Sequence, residues 1–167
     1  MTWFARLELG LGTPGFSEES ELLKLEGYGG AKLWVLVDGG YLFHPKLGIG
    51  AWGGFARWSS SPSERAPALN EMAYFVGGEV PIKLGSRAIS FVAAPRIGFC
   101  SGQVEIGGDA PFQSAFAFGA EIGVASFKYH VGGSLGILRA PVSPPGELGR
   151  AHDFGGFYAV IGGLIDG

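Results

Sequence analysis

Between residues 31 and 58 the chain alternates apolar and polar positions with a period of two. Leu33, Val35, Val37, Tyr41 and Phe43 share one face; Lys32, Trp34, Asp38 and Gly40 share the other. His44-Pro45-Lys46 leaves room only for a tight turn. A second run follows, with Leu47, Ile49, Ala51 and Phe55 against Gly48, Gly50, Trp52 and Gly54. Two such runs joined by a short turn predict a β-hairpin. The second face carries glycines and few charges, where a solvated face would be rich in charge. The pattern suits a strand with lipid on one side and a narrow, crowded lumen on the other.

The same alternation predicts eight strands at about 2–12, 31–43, 47–58, 70–84, 88–100, 112–126, 130–140 and 154–166. Pro81 cannot donate to a sheet ladder and is expected at a strand end or bulge. The connections alternate in length. Short turns fall near 44–46, 85–87 and 127–129; long loops cover 13–30, 59–69, 101–111 and 141–153. Glu18 to Leu25 in the first loop could form a helical turn or a strand extension. An even strand count puts both ends of the span beside the short turns. The expectation is a single domain over 1–167: an all-β, eight-stranded antiparallel up-and-down transmembrane barrel. The hairpins recur without sequence identity, so this is no solenoid.

Composition narrows the choice. Charged residues make up 16% of the chain and glycine supplies 31 positions, while mean hydropathy is +0.27. A soluble domain carries roughly 25% charge, yet no run approaches the roughly 18 apolar residues of a transmembrane helix. Net charge is −3, which does not point to nucleic acid. Cys100 stands alone, so no internal disulfide forms.

The layout resembles the small eight-stranded bacterial outer-membrane barrels of the OmpA/OmpX type: short periplasmic turns, longer extracellular loops, alternation throughout. Gly162 and Ile165 match that group's terminal-strand positions, and Gly167 stands where its terminal aromatic would be. The resemblance implies a bacterial outer-membrane location, a mature chain whose export signal has been removed, and outer-membrane lipid and lipopolysaccharide as surroundings. The four long loops are the candidate attachment surface for an envelope partner.

Several residue sets are candidates for function. Arg6, Glu8, Lys32, Asp38, Glu79, Arg96 and Glu121 all fall on the inner parity, the four acids about six or seven residues from the short-turn end. An eight-stranded barrel has room inside for side chains only, and buried charges need partners. These residues are therefore expected to form a salt-bridged plug, the alternative being a cation or proton pathway. Trp3, Tyr41, Phe43, Trp58, Tyr74, Phe99 and Phe112 cluster near strand ends and are expected to form interfacial aromatic girdles. Gly48, Gly50 and Gly53 match GxGxxG in form, but no helix opens from them. An outer patch with Gly39, Gly53 and Gly78 could admit a close neighbour.

His44, His130 and His152 are scattered, which gives no zinc or transition-metal pattern, and no cofactor is expected. A lipid-modifying barrel enzyme would need His130 or His152 to meet a serine and an acid; His130 and Ser134 lie about 13 Å apart along a strand. The leading reading is a non-catalytic scaffold or attachment barrel, with a place as a subunit of an envelope complex as one form of that role. The other alternative is a soluble lipocalin-like barrel, which would line its cavity with the Leu/Ile/Phe face.

Overall fold

The computed structural model describes residues 2–15, 24–61, 67–86, 88–108, 111–142 and 152–167. Its strands are β1 (Thr2–Gly12), β2 (Lys32–His44), β3 (Leu47–Ser60), β4 (Leu69–Glu79), β5 (Ile82–Gly85), β6 (Ser90–Ile106), β7 (Gln113–Ser126), β8 (Val131–Arg139) and β9 (Gly156–Asp166). They pair antiparallel in the order β2-β1-β9-β8-β7-β6-β4-β3, and β2 pairs with β3 to close the ring. β4 and β5 are two halves of one stave, so the barrel has eight. The break is at Pro81, which has no N–H to give the ladder. Its carbonyl still accepts from Gly48 N at 3.0 Å, so the stave stays joined to β3.

Three tight turns close one end of the barrel. At the third, His130 takes a left-handed backbone (φ 54°). It is held there because its carbonyl accepts from Leu164 N at 3.1 Å.

Strand alternation sorts side chains between two environments. Leu7, Val37, Ile49, Val76, Ile97, Ile122, Leu135 and Ile161 all point outward and are more than half exposed. An apolar belt of this kind, on a wall whose inner face carries charge, is the polarity of a transmembrane barrel. It is the reverse of a lipocalin-like barrel and rules that alternative out. No helix among the described residues is long and apolar enough to cross a membrane; the strands do the crossing.

The lumen is stacked in layers, legible along β2. Leu42 joins Phe4, Phe127 and Leu164 near the short turns. Asp38 follows, then Leu36 and Trp34 in a cluster with Trp52, Phe75, Cys100 and Tyr158. Lys32 is last, wholly buried near the opposite mouth.

One expected loop is strand. Ser101–Ile106 extend β6 and pair with Leu69–Tyr74 of β4. Small and polar residues at period two hide the strand signal here. Gly102 is needed on the inner side, where a Cβ would sit 2.7 Å from the Phe154 ring. With Ser59 and Ser60 on β3 and Leu69 on β4, three strands run on past the belt. Their outward positions turn mostly polar: Phe55 gives way to Arg57 and Ser59, Tyr74 and Met72 to Asn70, Phe99 to Ser101, Gln103 and Glu105. Of the first long loop, Lys24 and Leu25 form part of a helical turn. Glu18, Glu19, Glu21 and the turn residue Arg87 lie outside the described residues, as do 143–151 of the fourth loop.

Candidate functional site

Two polar assemblies occupy the lumen. The first is a layer built on β1, β2, β4, β6 and β7. Arg6 binds Asp38 in a fork, Nε to Oδ1 and Nη2 to Oδ2, both at 2.8 Å. The same guanidinium lies 3.0 Å from Glu121 Oε1 and 3.6 Å from Glu8 Oε1. Arg96 donates to Glu79 at 2.8 Å, Glu121 at 2.6 Å, Asp38 at 3.0 Å and the Tyr158 hydroxyl at 2.9 Å. Tyr158 in turn donates to Glu121 at 3.2 Å, and Ser134 to Glu8 at 3.4 Å. Every one of these residues is buried. Planar guanidinium forks suit such packed carboxylates better than ammonium groups would.

Glycines on the same inner face make the space. A Cβ at Gly136 would lie 2.1 Å from Tyr158 Cζ, and one at Gly162 would lie 2.8 Å from Glu8 Cγ. The layer therefore depends on residues that carry no chemistry of their own.

The second assembly lies at the long-connection mouth. Lys32 is here and does not join the other six charges named from the sequence. It pairs with Glu71 and donates to the Phe154 carbonyl at 2.5 Å and the Gly155 carbonyl at 3.1 Å. Its register, opposite Gly12 at the far end of β2, puts it several residues above Asp38. His152 is turned inward, with Nε2 3.3 Å from Glu71 Oε2 and its ring 4.7 Å from that of Phe154. Asp153 accepts from Ala140 N at 2.7 Å and Gly155 N at 2.9 Å, and binds Arg139 at 2.5 Å. The base of the fourth connection is thus folded into the mouth and clasped there. Alternation along β4 accounts for the inward side of Glu71, but no sequence signal marks its partners, nor Asp153 or Arg139, whose pairing needs the chain to turn inward.

Asp153→Ala is expected to cost about 1–3 kcal/mol, because two buried amides lose their acceptor. It should also speed maleimide labelling of Cys100, a buried thiol on the inner wall; an unchanged labelling rate would count against the clasp.

Among the aromatics, Trp3, Tyr41, Phe43, Tyr74, Phe99 and Phe112 are on the outside and exposed. Trp58 corrects the expectation: it is fully buried, donates to the Gly29 carbonyl at 3.1 Å and packs with Tyr28 and Leu69. Its even parity matches Trp52 and Ala56, which face inward, and a strand-end position does not alter that. His44 lies at the first short turn, where its Nδ1 accepts from Lys46 N at 3.2 Å.

No family model matches the chain, and no curated protein matches it in sequence. Two solved structures share its architecture. Neisserial surface protein A (NspA) is 13% identical over 98% of this chain and 97% of that one, with a TM-score of 0.64. Ail, the attachment invasion locus protein of Yersinia pestis, solved in complex with the heparin analogue sucrose octasulfate, is 12% identical over 98% of this chain and 99% of that one, with a TM-score of 0.59. At such identities the likeness is one of fold, and the fold of this chain is the closed eight-stranded antiparallel barrel of the small outer-membrane proteins.

Proposed function

We propose that this protein is a non-catalytic barrel of the bacterial outer membrane that presents its long-connection end as an attachment surface. The observation that carries this reading is the continuation of β3, β4 and β6 past the apolar belt, with Arg57, Ser59, Asn70 and Glu105 on the outer side. Strands built to span a bilayer have no need of a polar extension; a projecting sheet offers a rigid platform for the long connections. Its partner is an envelope or surface molecule met at that end, and the belt sits in outer-membrane lipid and lipopolysaccharide.

The lumen serves as a plug. Salt-bridged side chains and the clasped mouth fill the space a pathway would need. The heparin analogue sucrose octasulfate held by Ail supports a sulfated, anionic ligand as one class to test. His152 lies only 3% exposed against Glu71, which supports a structural role for it over catalysis.

The test has two arms. Protein extracted in mild detergent should run in SDS as a compact form that shifts on boiling, and intact cells should expose the long connections to added protease. Soluble, unshifted protein in plain buffer would overturn the membrane placement. Protease cleavage only after cell lysis would overturn the orientation. A flat trace across pH 4–8 in planar bilayers is expected for the plug; steady conductance would sink that part alone.

A further inference from the structure

We propose that the short-turn end of the barrel binds the phosphate headgroups of anionic phospholipids in the inner leaflet. The inference rests on the membrane placement given above. Each of the three short turns carries one cation: Lys46, Arg87 and Lys128. Lys46 and Lys128 are exposed; Arg87 lies outside the described residues. Residues 43–48, 80–91 and 125–132, which hold these turns, contain no aspartate or glutamate. Among the described residues, the acid at this end is Asp166, half-buried on β9 opposite Phe4. Lys83 belongs to the lumen floor rather than to the rim, with its Nζ 3.7 Å from the centre of the Phe127 ring. The opposite end differs in sign: the first long connection holds Glu18, Glu19, Glu21 and Glu26 against Lys24.

Height in the membrane selects the partner. Beside each turn the outward positions are large and apolar: Phe43 and Leu47, Leu84 and Ile89, Tyr129 and Val131, from 36% to 68% exposed. These side chains end the belt, and the turn cations follow within one to three residues. The cations are thus held where acyl chains give way to headgroups, and phosphate is the anion at that depth. Lysine suits the position, because its stem lies along apolar surface while the ammonium reaches out to the polar layer. Lys128 Nζ lies 5.3 Å from the centre of the exposed Tyr129 ring, which joins a cation to an aromatic of the interfacial kind. The turns join β2 to β3, β5 to β6 and β7 to β8, so the charges are spread around the rim and not gathered into one patch. A spread rim takes several separate headgroups more readily than one large ligand. A cation close to an anionic membrane surface favours it roughly fivefold.

Trp3 makes the test local. It is 41% exposed on β1, whereas Trp34, Trp52 and Trp58 are buried, and β1 and β9 lie between the first and third turns in the ring. The whole chain is refolded into phosphatidylcholine vesicles that hold a fixed share of brominated phosphatidylglycerol or of brominated phosphatidylcholine, and quenching of tryptophan emission is read. The expected result is that the brominated phosphatidylglycerol quenches as though enriched about fivefold beside Trp3. The preference should fade in about 1 M salt, where charge is screened within about 3 Å. Lys46→Gln together with Lys128→Gln should bring the two lipids to parity while the boiling shift in SDS is kept. Equal quenching of the natural chain by both lipids would overturn the proposal and give the turn cations to a soluble anionic partner. So would a preference that survives both the double substitution and high salt. Quenching by neither lipid would remove the membrane placement itself, and this proposal with it.

Discussion

Arg96→Met is expected to abolish or nearly abolish the SDS-resistant form of the barrel. The guanidinium serves Glu79, Glu121, Asp38 and Tyr158 at 2.6–3.0 Å from a position only 2% exposed. Methionine can fill much of the volume but donates nothing. Four carboxylates would then face Arg6 alone, with Glu79 stripped of its guanidinium partner, and breaking a buried ion network by removing one member costs about 3–5 kcal/mol. That is a large part of the roughly 5–15 kcal/mol that holds an ordinary domain together. The measurement is urea unfolding of the folded barrel in lipid, followed by tryptophan emission. A companion variant sharpens it: Arg96→Met with Glu121→Met should recover part of the loss, because the second change removes a charge left stranded by the first. A cost below about 1 kcal/mol would mean that water reaches the layer and screens it, as at exposed pairs.

Ile161→Arg is expected to cost about 2–4 kcal/mol in a bilayer, the penalty for arginine at mid-depth on the lipid face of a barrel. Ile161 is 74% exposed and sits midway along β9, paired with Leu9 and Gly133. In a soluble protein the same change would be near neutral, within about 0.5 kcal/mol. The control is Ser59→Arg on the polar extension of β3, where a change within about 0.5 kcal/mol is expected because that position lies beyond the belt. Equal effects at the two positions would erase the distinction between belt and extension.

Alternation along a strand is a local property, and it is fully written in the sequence. Parity alone puts Leu7, Val37, Ile122 and Ile161 on one wall face and Arg6, Asp38 and Glu121 on the other, because successive side chains on a strand point to opposite sides. The count of staves and the alternation of short and long connections follow from the same reading. Trp58 shows where a positional argument failed while parity held: its place near a strand end suggested a girdle, but its even number put it inside.

What the sequence could not supply is everything that depends on which strand lies beside which. Ser101–Ile106 look like a loop until β4 offers them a partner ladder. Lys32 shares its parity with Asp38, yet the height of β2 in the barrel takes it to the mouth, where Glu71 and the carbonyls of 154–155 receive it. His152 and Asp153 enter the lumen only because the chain folds back between β8 and β9. Glu8, Asp38 and Glu121 come from three strands that meet across the interior once the sheet is shut. Closure and register decide these encounters, since a ring of paired strands fixes the height of each residue around the lumen, and no stretch of sequence carries that information alone.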